Sequence, residues 1–116
     1  QTQDQKKAEM SLRKALQVNP RLPVASLQMA KISVNKKNAM SGRAYLTRYQ
    51  EITALNAEGL WLGIQVENAL GDLVAVRDYE NRLHRYFPDS EELRLLQESL
   101  KKNSVKSESE SEAVGK

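Results

Sequence analysis

The chain has 116 residues, 40% of them apolar, and 18 basic against 15 acidic side chains give a net charge of +3. That length holds one domain and that apolar share suffices for a core, which 5% aromatics and few Gly and Pro favour as helical. The absence of cysteine excludes disulfides, thiolate metal sites and cysteine nucleophiles together, and no apolar run approaches the roughly 20 residues a membrane-spanning helix needs.

In chain order, a first helix is expected from about Asp4 to Val18, with Ala8, Leu12, Ala15 and Leu16 on one face and Pro20 as its stop. A second runs from Pro23, suited to a first helical turn, to Lys36. Its apolar residues Val24, Leu27, Met29, Ala30, Ile32 and Val34 surround it, as in a helix packed on several sides. After the polar turn 35–38, a third helix is expected over 39–54, with Tyr45, Tyr49 and Ile52 inward and Gly42 allowing close packing. Leu60, Leu62, Ile64 and Val66 alternate like a strand, but Ala69 and Leu70 continue at helical spacing and Gly71-Asp72 follows as a turn. Helix is therefore expected there as well. A fifth helix over 73–86 turns Val76, Tyr79 and Leu83 inward and ends at Phe87-Pro88. A last helix opens on Asp89, with Glu92 reaching back to it, and carries Leu93, Leu96 and Leu100 as one apolar stripe to about Lys102. The Ser/Glu-rich stretch 104–116 has too little apolar surface to order itself and is read as a disordered tail.

These elements repeat. Lys14, Arg48 and Arg82 stand 34 positions apart, as do Val18, Ile52 and Tyr86, and Pro20, Ala54 and Pro88. A 34-residue helix-turn-helix period closed by Pro is the mark of the tetratricopeptide repeat. The chain divides on this reading into the second helix of a truncated repeat (1–20), two full repeats (21–54 and 55–88), a capping helix (89–103) and the tail (104–116). The fold class is all-α, a superhelical array of about two and a half repeats plus a C-terminal cap. Gly63 and Ala75 each fall one residue before the expected small positions, through either a rotation of the helices or a reshaped turn. The uncovered face of Leu12 and Leu16 is expected either to fray or to stack on a second copy of the chain.

Function in such an array belongs to the groove lined by the first helices. The candidate contact residues are Leu27, Gln28, Lys31 and Asn35 in one repeat and Trp61, Gln65 and Asn68 in the next. Leu27 and Trp61 are 34 apart and would stand as neighbouring apolar anchors, the other reading of Trp61 being packing between repeats. Arg48, Arg82 and Lys14 would form a cationic ladder on the outer side. His84 is the only histidine and has no catalytic companion, so no catalytic residue is expected. No His or Cys pair has metal-binding spacing and no glycine run cradles phosphate, so neither metal nor cofactor is expected. Basic and acidic residues interleave, and Lys6, Lys7, Arg13 and Lys14 have no aromatic beside them for base stacking, so a nucleic-acid partner is not expected.

The strings RLPVASLQMA (21–30), SGRAYLTRY (41–49), LWLGIQVENALGD (60–72) and LHRYFPDS (83–90) resemble, in order and spacing, the C-terminal repeats of the PilF/PilW family. Members of that family are tetratricopeptide lipoproteins of type IV pilus biogenesis, known as pilotins. The resemblance implies a non-enzymatic scaffold whose partner is the outer-membrane secretin of the pilus machinery, which it helps to localise and assemble. It also implies a place on the periplasmic side of the outer membrane, held by an N-terminal lipid anchor whose lipobox lies outside this sequence. The alternative is a generic repeat adaptor or a cochaperone-like module clamping a C-terminal carboxylate. Such clamps need Lys and Asn at set first-helix positions, two of which are Val24 and Leu27 here.

Overall fold

The computed structural model describes the backbone over residues 2–114 and the side chains over residues 2–103. Its helices are α1 (Gln3–Val18), α2 (Pro23–Asn35), α3 (Ala39–Ile52), α4 (Ala57–Leu70), α5 (Leu73–Tyr86) and α6 (Glu91–Val114). Successive helices pack on one another, and α2 and α6 also reach α4 across the intervening helices. This is the all-α array of stacked helix pairs that the 34-residue period predicts.

The local signals that start α3 to α6 recur with that period. Asn38 and Asp72 cap α3 and α5, their side chains accepting from the amides of Ser41 (3.2 Å) and Ala75 (3.1 Å). Asn56 and Ser90 do the same for Gly59 (2.8 Å) and Leu93 (3.1 Å) at the heads of α4 and α6. Each cap satisfies an amide that the first turn leaves unpaired. The equivalent residue before α2 is Leu22, which offers no cap, and there Pro23 lightens the need because its nitrogen has no proton to satisfy. The expected cap of α6 is corrected from Asp89 to Ser90, whose hydroxyl also donates to the Phe87 carbonyl at 2.8 Å and so ties the turn together.

The turns inside each helix pair match as well. Amides of Lys37 and Asn38 donate back to Val34 and Ser33, and those of Gly71 and Asp72 to Asn68 and Glu67, which is the same pattern 34 residues on. Both turns place one residue in the left-handed region, Gly71 at φ 78° and Lys37 at φ 61°. A side chain there crowds the following carbonyl, whereas glycine does not. Lys37→Gly is therefore expected to raise stability by about 0.5–1 kcal/mol, read as a higher denaturation midpoint in urea with an unchanged slope.

Packing explains the strand-like alternation. Helix α4 touches α2, α3, α5 and α6, so Leu60, Leu62, Ile64 and Val66 are all buried although they do not share one face. Two glycines permit the approach: a Cβ on Gly42 would stand 2.9 Å from Val66 Cγ2, and one on Gly63 would stand 2.9 Å from the Tyr79 ring. Tyr49, Val76 and Leu83 point into the core as expected, and Tyr45, Ile52 and Tyr79 are half-buried. Leu12, Ala15 and Leu16 are half-buried against the array, while Ala8 is exposed.

Three further expectations need correction. Val24 is 72% exposed, because it sits in the first turn of α2 at the rim rather than between neighbours. Of the last helix's stripe, Leu93 and Leu96 are buried but Leu100 is 46% exposed, having passed the last helix it could lean on. The tail read as disordered from 104 is instead helical through Val114, and its last two residues lie outside the described ones. No Gly or Pro interrupts 91–114, and a helix already nucleated by packing extends at little cost through Lys, Ser, Glu and Ala.

Candidate functional site

The seam between α2 and α4, closed at one end by the start of α6, holds a cleft of about 340 Å³. Lys31, Asn35, Trp61 and Gln65, four of the seven residues expected to form a partner groove, line it. A second depression of about 200 Å³ shares Val34 and Gln65 with the first and runs on past Lys37, Ala39 and Ala69. The two adjoin at Val34 and Gln65, on the first helices of successive repeats.

The other three candidates lie elsewhere. Leu27 is 7% exposed and belongs to the core, so the expected pair of apolar anchors reduces to Trp61. Gln28 and Asn68 are exposed and do not line the cleft. Trp61 combines both of its sequence readings, since it is half-buried, leans on the core and still lines the cleft. Reading the sequence missed Glu58 and Glu92, which also line the cleft. They are 34 residues apart, in the first turns of α4 and α6, at the position Val24 holds in α2. The repeat period that aligned Leu27 with Trp61 would have found them.

The charges in the cleft are incompletely matched. Lys31 Nζ stands 3.7 Å from Glu58 Oε1, close enough for attraction and too far for a hydrogen bond. That oxygen is shut off from solvent and accepts no hydrogen bond among the described residues. Glu92 is half-buried and has no ion-pair partner among the described residues. The neighbouring Glu91 is engaged by Arg94, whose guanidinium holds its carboxyl below the usual range.

On the second helices, the guanidinium carbons of Arg48 and Arg82 sit 5.4 and 5.5 Å from the ring centres of Tyr45 and Tyr79, two cation–π pairs one period apart in sequence. Tyr79 also accepts from Gln50 Nε2 at 3.3 Å, joining α5 to α3. The third member of the expected ladder, Lys14, is exposed, and His84 is exposed on the last turn of α5. Among the described residues no three His, Cys, Asp or Glu side chains converge, and no helix is long and apolar enough to cross a membrane.

Stacked 34-residue helix pairs with a groove along their first helices define a tetratricopeptide array. Among solved structures the chain is similar to PilF of Pseudomonas aeruginosa, with a TM-score of 0.77 and 25% identity over 82% of this chain and 43% of that one. It is also similar to PilW, a widely conserved type IV pilus biogenesis factor, with a TM-score of 0.71 and 30% identity over 81% of this chain and 43% of that one. The chain thus spans less than half the length of either relative. No protein-family model and no curated protein sequence matches it.

Proposed function

We propose that this chain is part of a non-enzymatic tetratricopeptide scaffold of the pilotin kind, which holds the outer-membrane secretin of a type IV pilus machinery during its localisation and assembly. The observation that carries the reading is the similarity to PilF and PilW, at TM-scores of 0.77 and 0.71. The groove supplies the means: a half-buried indole beside amide side chains, in a concave seam, suits the capture of an extended protein segment. On this reading the protein works on the periplasmic side of the outer membrane, attached through an N-terminal lipid.

Secretin recovered from solubilised outer membranes with the tagged full-length protein tests this directly. Trp61→Ala is expected to reduce recovery about tenfold, as loss of a central aromatic anchor does, while helicity by circular dichroism stays within the range of the parent. Gln65→Ala, which removes an amide from the same wall, should reduce recovery less. Secretin recovery that falls only in step with lost helicity would mean that Trp61 serves packing alone, and the groove would lose its role.

A further inference from the structure

The groove's chemistry identifies the kind of segment it takes. The 34-residue period sets Glu58 and Glu92 in corresponding first turns, and both residues line the cleft with Trp61. Among the described residues Lys31 is the only cation lining this cleft, Lys37 belonging to the adjoining depression; Lys31 reaches Glu58 at 3.7 Å without a hydrogen bond, and Glu92 has no ion partner among the described residues. A carboxylate entering here would meet two like charges against one opposite, whereas an ammonium or guanidinium would find an unmatched carboxylate and an indole lining the same cleft. The amides of Asn35 and Gln65 can each donate to and accept from a passing backbone, which favours a polypeptide over a small free cation.

We infer that the groove binds an extended protein segment through a Lys or Arg side chain seated beside Trp61 and drawn by Glu58 and Glu92. This inference rests on the groove reading above and gives it a charge preference opposite to that of a carboxylate clamp. First-turn glutamates also favour the positive end of a helix, so the test must separate binding from stability.

A library of random displayed peptides, selected on this chain, supplies the probe. The selected set is expected to be enriched in Lys or Arg next to an apolar residue. A synthetic copy of the leading peptide should bind the Glu58→Gln/Glu92→Gln double variant about tenfold more weakly, while that variant keeps the parent's helicity and melting temperature within a few degrees. Raising the salt concentration should weaken the parent complex and leave the residual binding of the variant nearly flat. Selected peptides that lose affinity on Trp61→Ala yet show no basic preference, or that bind the double variant unchanged, would overturn the charge inference and leave the groove standing. A selection that yields no binders, or only binders indifferent to Trp61→Ala, would overturn both.

Discussion

Leu83→Ala is expected to lower the stability of the array by roughly 3 kcal/mol, the middle of the range for deleting a buried leucine side chain beyond Cβ. Leu83 is 0% exposed and lies in the last turns of α5, a helix that packs against both α4 and α6. Its neighbours cannot collapse freely onto the space it leaves, because α4 is held from other sides by α2 and α3. A domain of this size has on the order of 5–15 kcal/mol in all, so the melting temperature should fall by roughly 10–20 °C. Stability in a repeat array is a sum over neighbouring units, and the loss should therefore appear first at one end. Amide exchange is expected to accelerate in α5 and the start of α6 well before α2 and α3. Leu100→Ala is the control: that leucine is 46% exposed, and its removal should change the melting temperature by no more than a degree or two. Equal effects of the two substitutions would mean that the core is not where the buried residues place it.

The architecture was legible because its punctuation is local. Pro20, Pro23, Pro88 and Gly71-Asp72 act within one turn of themselves, and the period that relates them requires no knowledge of what packs on what. Gly42 was legible for a related reason, since a small residue at a fixed place in the repeat implies a close neighbour, here Val66. The groove was legible only in part. Sequence equivalence carried Leu27 onto Trp61, but burial depends on side-chain size as well as position: the core encloses an isobutyl group, while an indole at the corresponding site remains half-exposed. As groove residues Glu58 and Glu92 went unread: Glu92 already had a local role in capping its own helix, and Glu58 is marked by nothing in its neighbourhood, only by the period that relates it to Glu92. The helical course of α6 beyond 103 was misread because composition was weighed for buried surface alone, whereas an attached helix needs only propensity to continue. Least legible were the ion pairs between repeats, Glu9 with Lys36 and Arg43 with Glu67, whose partners lie 27 and 24 residues apart and meet only through stacking.

Those ion pairs lead to the second large effect. Arg43 on α3 donates from Nε to Glu67 Oε2 at 3.1 Å and from a terminal nitrogen to Oε1, a two-pronged grip on a carboxylate whose side chain is only 7% exposed. The grip holds the guanidinium above its ordinary pKa. Arg43→Ala would leave that carboxylate enclosed and without its counter-ion, so it should lower the denaturation midpoint more than loss of an exposed pair would and less than the breaking of a fully buried one, because Arg43 itself is partly in water. Glu67→Ala should cost less than Arg43→Ala, since the arginine, 40% exposed, can turn outward to solvent. Chemical denaturation of the two single variants and the double variant closes a cycle, in which the double variant should recover part of the loss seen in Arg43→Ala. The preceding junction carries the opposite polarity. Glu9, 34 residues before Arg43, is the acid there, and it accepts from Lys36 at 3.3 Å and from Arg13 at 2.8 Å. A stack shifted by one whole repeat would bring Glu9 to Glu67, acid against acid, a pairing that would disfavour the shifted arrangement. Arg43→Glu imposes that mismatch without moving a helix and should therefore destabilise more than Arg43→Ala; an equal melting temperature for the two would show that only the lost bonds matter and that the alternation has no part in register.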